Sequence, residues 1–293
     1  IKAGHSQEDE LTLPIPHTLT DMRLTLRLQL NVKGQTVFTD DHPLELLFPE
    51  QYKDPVFGQL GVFDPSGKVI AWLKQKRIPH FRMPDIMSIS ARVQTILVGP
   101  NAMDNLNPSD RRNLISYSKT FNVIVLEQAD PLTGKELGLD LQLADEKQDA
   151  GKVSREEFEG AKGQTGQIAF IASPAHPVFK GMNNAQFFTW ADGSYNFTNS
   201  YAMPSSGMLP MISAGHDLNL CPMVQINTQR GSIVLSQMLI GSKLGVEPLA
   251  DRLLTRLLNQ ASAVSTREIK RTALLSSGDR QLAQLIKQTG VQY

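Results

Sequence analysis

The chain holds one cysteine, Cys221, in 293 residues. A single thiol excludes an internal disulfide and any multi-thiolate metal site within the chain. It leaves the compartment open, because large exported enzymes also manage without disulfides. Long apolar runs are missing as well: no segment approaches the roughly 18–20 uninterrupted apolar residues of a membrane-spanning helix. Nor is there an excess of charge, with Lys+Arg and Asp+Glu both totalling 29, which argues against a general affinity for nucleic acid or anionic membrane. Glycine-rich phosphate cradles are absent too. Gly99-Pro100-Asn101-Ala102 has neither G-x-G-x-x-G nor G-K-[ST] character, so no nucleotide or other cofactor is expected. The opening Ile1-Lys2-Ala3-Gly4-His5 has no initiator methionine and no apolar leader run, so the chain is expected to be a piece of a longer polypeptide.

What is present is enough for a folded α/β protein. Apolar residues make up 41% and charged residues 20%, so a real core can form. Met22 to Leu30 alternates apolar and polar with the period of a half-buried strand, and Lys33-Gly34-Gln35 is a turn into a return strand at Thr36–Thr39. Leu44–Phe48 and Leu11–Ile15 are further strand candidates, and together these predict a small β-sandwich module over residues 1–50. From residue 51 to 262 the pattern is α/β. Strands are predicted at Val56–Phe63, Thr95–Gly99, Phe121–Leu126, Gln167–Ala172, Met211–Ser213, Met223–Ile226 and Ser232–Gln237, the last two forming a hairpin. Helices are predicted at Lys68–Lys76, from Asn107 to about Thr120, near Lys135–Gly138 and from Glu247-Pro248 to about Ala261. Asn107-Pro108-Ser109-Asp110 supplies an N-cap, a first-position proline and an early negative charge. Thr95–Gln128 is therefore a βαβ unit with buried parallel strands. Residues 263–293 predict a short strand, a helix and the start of another strand, as a further α/β unit or a C-terminal extension.

Chemistry is harder to find than architecture. A nucleophile elbow needs glycines flanking the nucleophile, but Cys221 sits in Asn219-Leu220-Cys221-Pro222-Met223, and Pro222 forbids the turn into a helix. Ser205-Ser206-Gly207 lacks the preceding glycine as well. His176 and His216 are the histidines placed near strand ends, as ligand contacts or general bases; the competing reading is a hydrogen bond that anchors a loop. Neither has partners at metal-ligand spacing beyond Asp217, so no metal is expected. Glu156-Glu157-Glu159 belongs to a solvated charged loop, and Glu127 is a strand-end carboxylate without an obvious partner. Trp190, with Asp192, Tyr195 and Tyr201, could stack on a sugar ring; equally, Trp190, Phe187 and Phe188 could fold a long loop onto the core. A hydrolase or amidase using Cys221 with His216 is the most distant reading.

Several motifs fall in a familiar order: Val62-Phe63-Asp64-Pro65-Ser66-Gly67, Ile96-Leu97-Val98-Gly99, Val123–Gln128, His176–Met182 through Phe188-Thr189-Trp190, Gly231–Gln237, and the helix with Leu253-Leu254 and Leu257-Leu258. Over roughly residues 15–293 this resembles the glutamine-amidotransferase-like (flavodoxin-like) domain near the C-terminus of many bacterial β-galactosidase-like glycoside hydrolases. The resemblance implies a doubly wound, mostly parallel α/β sheet preceded by a β-sandwich. It also implies a non-catalytic role, because such domains usually lack the nucleophilic cysteine and the catalytic carboxylates lie in an upstream barrel. Expected partners are the other domains of the parent polypeptide, carbohydrate, or a second copy of the chain, and the parent is expected to be exported or periplasmic. The pair of glycines usual before the second strand is replaced by Ser118-Lys119-Thr120-Phe121-Asn122. That turn is therefore expected to place Lys119 or Asn122 in a strained conformation.

Overall fold

The computed structural model describes Thr12 and residues 20–53, 59–87, 89–90, 92–144, 168–188, 190, 196–197, 199–215 and 217–264. The chain divides into two compact units, Ile1–Pro49 and Glu50–Tyr293. The first contains one antiparallel hairpin, β1 (Met22–Val32) and β2 (Gln35–Leu46). Lys33 and Gly34, at φ 53° and 81°, make the tight reversal that suits the twist of a two-residue hairpin loop. Of the module expected as a sandwich, the described residues form a two-stranded sheet. Thr36–Thr39 and the start of the Leu44–Phe48 candidate are one long strand, because pairing with β1 continues through Leu46. Of the Leu11–Ile15 candidate only Thr12 is described.

The second unit is built on a nine-stranded sheet in the order β4-β3-β5-β6-β11-β10-β9-β7, with β8 beside β10. These strands are β3 (Gln59–Phe63), β4 (Phe81–Arg82), β5 (Val93–Val98), β6 (Asn122–Val125), β7 (Ala169–Ile171), β8 (Tyr201–Ala202), β9 (Leu209–Ala214), β10 (Leu220–Asn227) and β11 (Ser232–Ser236). The β4-β3-β5-β6-β11 pairings are all parallel, while β10 is antiparallel to β11, β9 and β8, and β7 to β9. Only β10 and β7 therefore run against the other strands. Pro222, which has no N–H to give the ladder, lies inside β10, and the register against β9 shifts between Leu220 and Met223. A bulge is where a strand tolerates proline.

The helices are α1 (Lys68–Gln75), α2 (Pro108–Ser118), α3 (Gly134–Leu137), α4 (Ile240–Lys243) and α5 (Pro248–Val264). Alternate strand residues Ile96, Val98, Val123, Val125, Ile233 and Leu235 pack with Leu114 of α2 and with Leu132 and Leu141 around α3. Leu97 and Ile124, also buried, point the other way. On that face α5 lies on β5 and β6 with Leu249, Leu253, Leu254, Leu257 and Leu258 buried, and Asn122 Nδ2 donates to the Ala261 carbonyl at 2.7 Å. Asp251 of α5 ties α1 to this layer, accepting from Trp72 Nε1 at 2.7 Å and pairing with Lys76 at 2.8 Å.

The expected strain between α2 and β6 is absent. Lys119 has φ −65°, and neither it nor Asn122 is among the residues with positive φ. The tightness is met from the neighbouring strand's loop. Arg230 N donates to the Lys119 carbonyl at 2.9 Å, Thr228 Oγ1 donates to that of Ser118, and a Cβ on Gly231 would lie 1.9 Å from the Phe121 carbonyl oxygen. The glycine this turn requires stands more than a hundred residues further along the chain.

Candidate functional site

Open α/β sheets bind ligands beyond the carboxyl ends of their parallel strands. In this unit that end gathers Asp64 after β3, Gly99 and Asn101 after β5, Glu127 and Gln128 after β6, and Gln237 after β11. Polar residues follow each of these strands within three positions, so the backbone direction delivers their side chains to one rim. Asp64, Glu127, Gln128 and Gln237 are nevertheless almost fully buried, at 3%, 5%, 3% and 2% exposure.

Their hydrogen bonds explain how burial is tolerated. Asp64 accepts from Ser66 Oγ at 2.6 Å and from Ile70 N at 3.1 Å, which satisfies the N-terminal turn of α1. Glu127 accepts from Gly241 N at 3.1 Å and Ser242 N at 2.6 Å, the free donors at the start of α4. Burial pushes its carboxyl above the usual carboxylate range, and the hydrogen bonds from Ser242 and Gly241 only partly oppose this. Gln128 is bonded on every side. Its Oε1 accepts from Met103 N, its Nε2 donates to the Gly99 and Leu126 carbonyls, all at 2.8 Å, and its own N–H donates to Gln237 Oε1 at 3.1 Å. Asn101, at φ 52°, accepts from Ala129 N at 2.9 Å.

Packing closes what hydrogen bonding leaves. A Cβ on Gly99 would meet Asp64 Oδ1 at 2.7 Å, and one on Gly241 would meet Pro100 Cγ at 2.3 Å. The crevice between β3 and β5 is thus filled by Asp64, and the first turn of α4 seats on Pro100 and Leu126. Nearby, the buried Arg111 guanidinium bridges Asp130 at 2.6 Å and Glu136 at 2.7 Å, and Glu136 also accepts from Thr133 N to cap α3. These bonds join strand ends to helix starts.

Of the described residues singled out from sequence, Cys221 and Tyr201 are brought together across the β10–β8 pairing, inside the core. His176 follows β7, one of the two reversed strands, and so lies toward the opposite end of the sheet from Glu127. It is half-buried; its Nδ1 accepts weakly from Val178 N at 3.4 Å, and its Nε2 lies 3.1 Å from Gln225 Oε1. A neutral ring protonated on Nε2 satisfies both contacts. Cys221 is completely buried in β10, donates to the Met223 carbonyl at 3.2 Å, and is pushed up to about 12 by burial. Burial denies the thiol access and disfavours its thiolate, and both weigh against a nucleophile here. Trp190 is 2% exposed and Tyr201 fully buried with its hydroxyl donating to the Leu132 carbonyl at 3.0 Å, so neither offers a face for sugar stacking. Phe187 is buried and Phe188 half-exposed, edge-on to Phe170. Asp192, Tyr195 and His216 lie outside the described residues, as does Glu156-Glu157-Glu159.

Sequence reading noticed Glu127 but not its α4 partner, and gave no site role to Asp64, Gln128, Gln237 or Arg111. A signal existed for three of the four: a polar residue within two positions of the end of an apolar strand run. Among the described residues, no group of three or more His, Cys, Asp or Glu is placed to hold a metal ion, and no helix is long and apolar enough to cross a membrane. No protein-family model and no curated protein matches this chain. Among solved structures, a cytoplasmic protein of Salmonella typhimurium, STM3548, is similar at 14% identity and a TM-score of 0.41, over 82% of this chain and 95% of that one.

Proposed function

We propose that the α/β unit is a non-catalytic structural and interaction region of a larger polypeptide. The observation that carries this reading is the internal engagement of Asp64, Glu127, Gln128 and Gln237 at the rim where such sheets bind ligands. Polar groups that await a substrate face a cleft; these four cap helices and pin loops. The finer fold assignment, an amidotransferase-like (flavodoxin-like) sheet, belongs to the same proposal. It is supported by the parallel half, whose order in chain sequence is 2-1-3-4-5, as in flavodoxin-like folds. Attachment to a glycoside hydrolase rests on the sequence resemblance alone.

The test uses the opposite stability signatures of scaffolds and active sites. Residues held for catalysis are often a cost to folding, and replacing them leaves stability unchanged or raises it. Gln128→Ala instead should lower stability by about 2–3 kcal/mol, since it orphans the buried Met103 N–H and carbonyl partners. Urea unfolding of the full chain measures this. An unchanged or raised midpoint for Gln128→Ala, with hydrolysis of any chromogenic glycoside or amide by the wild type, would overturn the reading.

A further inference from the structure

The β1–β2 hairpin has two unlike faces. Met22, Leu24, Leu26, Leu28 and Leu30 share one side, with Leu28 and Leu30 at 42% and 56% exposure. The other side is polar and cross-braced: Arg27 donates to both Asp41 carboxylate oxygens at 2.7 and 2.8 Å, and Arg23 pairs with Glu45 at 3.6 Å. A two-stranded hairpin alone is at best marginally stable in water.

Its two edges also differ. β2 carries Pro43, which has no N–H to offer, and the adjacent charges Asp40 and Asp41; these are devices that blunt an edge against pairing. β1 has no proline along its 11 residues, its two charges Arg23 and Arg27 are both paired with acids of β2, and its regular pairing with β2 runs unbroken from Met22 to Leu30, where a bulge begins. Among the described residues β2 is its sole strand neighbour.

We propose that β1 pairs edge to edge with β1 of a second copy of this chain, antiparallel about a two-fold axis at Leu26. The two hairpins then form one four-stranded sheet. Residues directly opposed in an antiparallel pair share a face. An axis at Leu26 sets Met22 against Leu30, Leu24 against Leu28 and Leu26 against itself, all on the apolar side. On the polar side Arg23 opposes Gln29 and Thr25 opposes Arg27, so no like charges meet. An axis at Thr25 would oppose Arg23 with Arg27, and one at Arg27 would oppose that guanidinium with its own copy. An axis at Leu28 would carry the pairing across the bulge at Leu30/Asn31. An axis at Leu24 would pair only Met22 to Leu26, because β1 begins at Met22. Alternation, charge, bulge and strand length together select Leu26, and the contact closes on itself as a two-fold dimer must. This concerns the hairpin unit and does not rest on the role of the α/β unit.

Sedimentation equilibrium of the full 293-residue chain tests it, with Thr25→Glu and Thr25→Lys as the variants. Thr25 is exposed, so both should keep the wild-type circular dichroism spectrum. The wild type should dimerise. Thr25→Glu, facing the partner's Arg27, should tighten the dimer and Thr25→Lys should loosen it, the two dissociation constants differing by at least about tenfold. Leu26→Cys should cross-link to its own copy under mild oxidation, because Cys221 is buried and cannot compete. A wild type that stays monomeric, or a dimer whose affinity is the same for Thr25→Glu and Thr25→Lys, overturns the proposal.

Discussion

At the scale of single residues, the rim of the sheet is defined by how much each buried polar group costs and what offsets that cost. Glu127 is the clearest case, because its folded carboxyl is raised mainly by burial while its unfolded value stays near about 4.3. The folded state therefore holds the proton longer than the unfolded one, and stability attributable to Glu127 falls as pH rises through the folded value. Glu127→Gln does not titrate. Its stability relative to wild type should accordingly increase as pH is raised from about 4.3; urea denaturation at a series of pH values gives the slope, and a flat or opposite trend would mean that the Gly241 and Ser242 bonds match or outweigh burial. Cys221 makes a simpler prediction. With its thiol completely buried and pushed up to about 12, an aqueous thiol reagent should find no reactive group in the native chain and one equivalent after denaturation.

At the scale of elements, the βαβ unit from β5 through α2 to β6 was readable in the sequence because its cues are local. Asn107 caps α2 by accepting from Ser109 N at 2.8 Å and Asp110 N at 3.0 Å, and apolar runs mark both strands. The turn that follows α2 was not readable, because the residue that makes room for it is Gly231, beyond an intervening hundred residues. Gly231→Ala should cost more than about 2 kcal/mol, as a Cβ there collides with backbone oxygen rather than a movable side chain. Gly67→Ala is the comparison. Its added Cβ meets nothing within 4 Å, so only the left-handed φ of 76° should matter, at about 1 kcal/mol. Comparing urea midpoints of the two variants separates a packing requirement from a conformational one. β4 and α4 escaped sequence reading for a different reason: two and four residues are too few to display any period.

At the scale of the whole α/β unit, the order of strands in space departs from their order in the chain. β6 pairs with β11 across a separation of 110 residues, and α4 and α5 then return to cap what β6 leaves unsatisfied at both ends, Glu127 at one and Asn122 at the other. A chain truncated after Leu239 keeps every strand but loses both partners and the leucine stripe of α5. It should fail to give a cooperative thermal transition and should lose near-ultraviolet dichroism; a sharp native-like transition would show that the sheet is self-sufficient. What the sequence by itself determined was the local grammar: the alternation of β1, the cap of α2, the apolar stripe of α5, and the unsuitability of Cys221 for a nucleophile elbow. Only the tertiary structure decided that His176 follows a reversed strand, that Trp190 and Tyr201 are core, and that the strand-end polar groups are already bonded. The physical reason is range. Capping, periodicity and turn chemistry act over a few residues, whereas burial and the partner of a buried polar group depend on strands brought together from opposite halves of the chain.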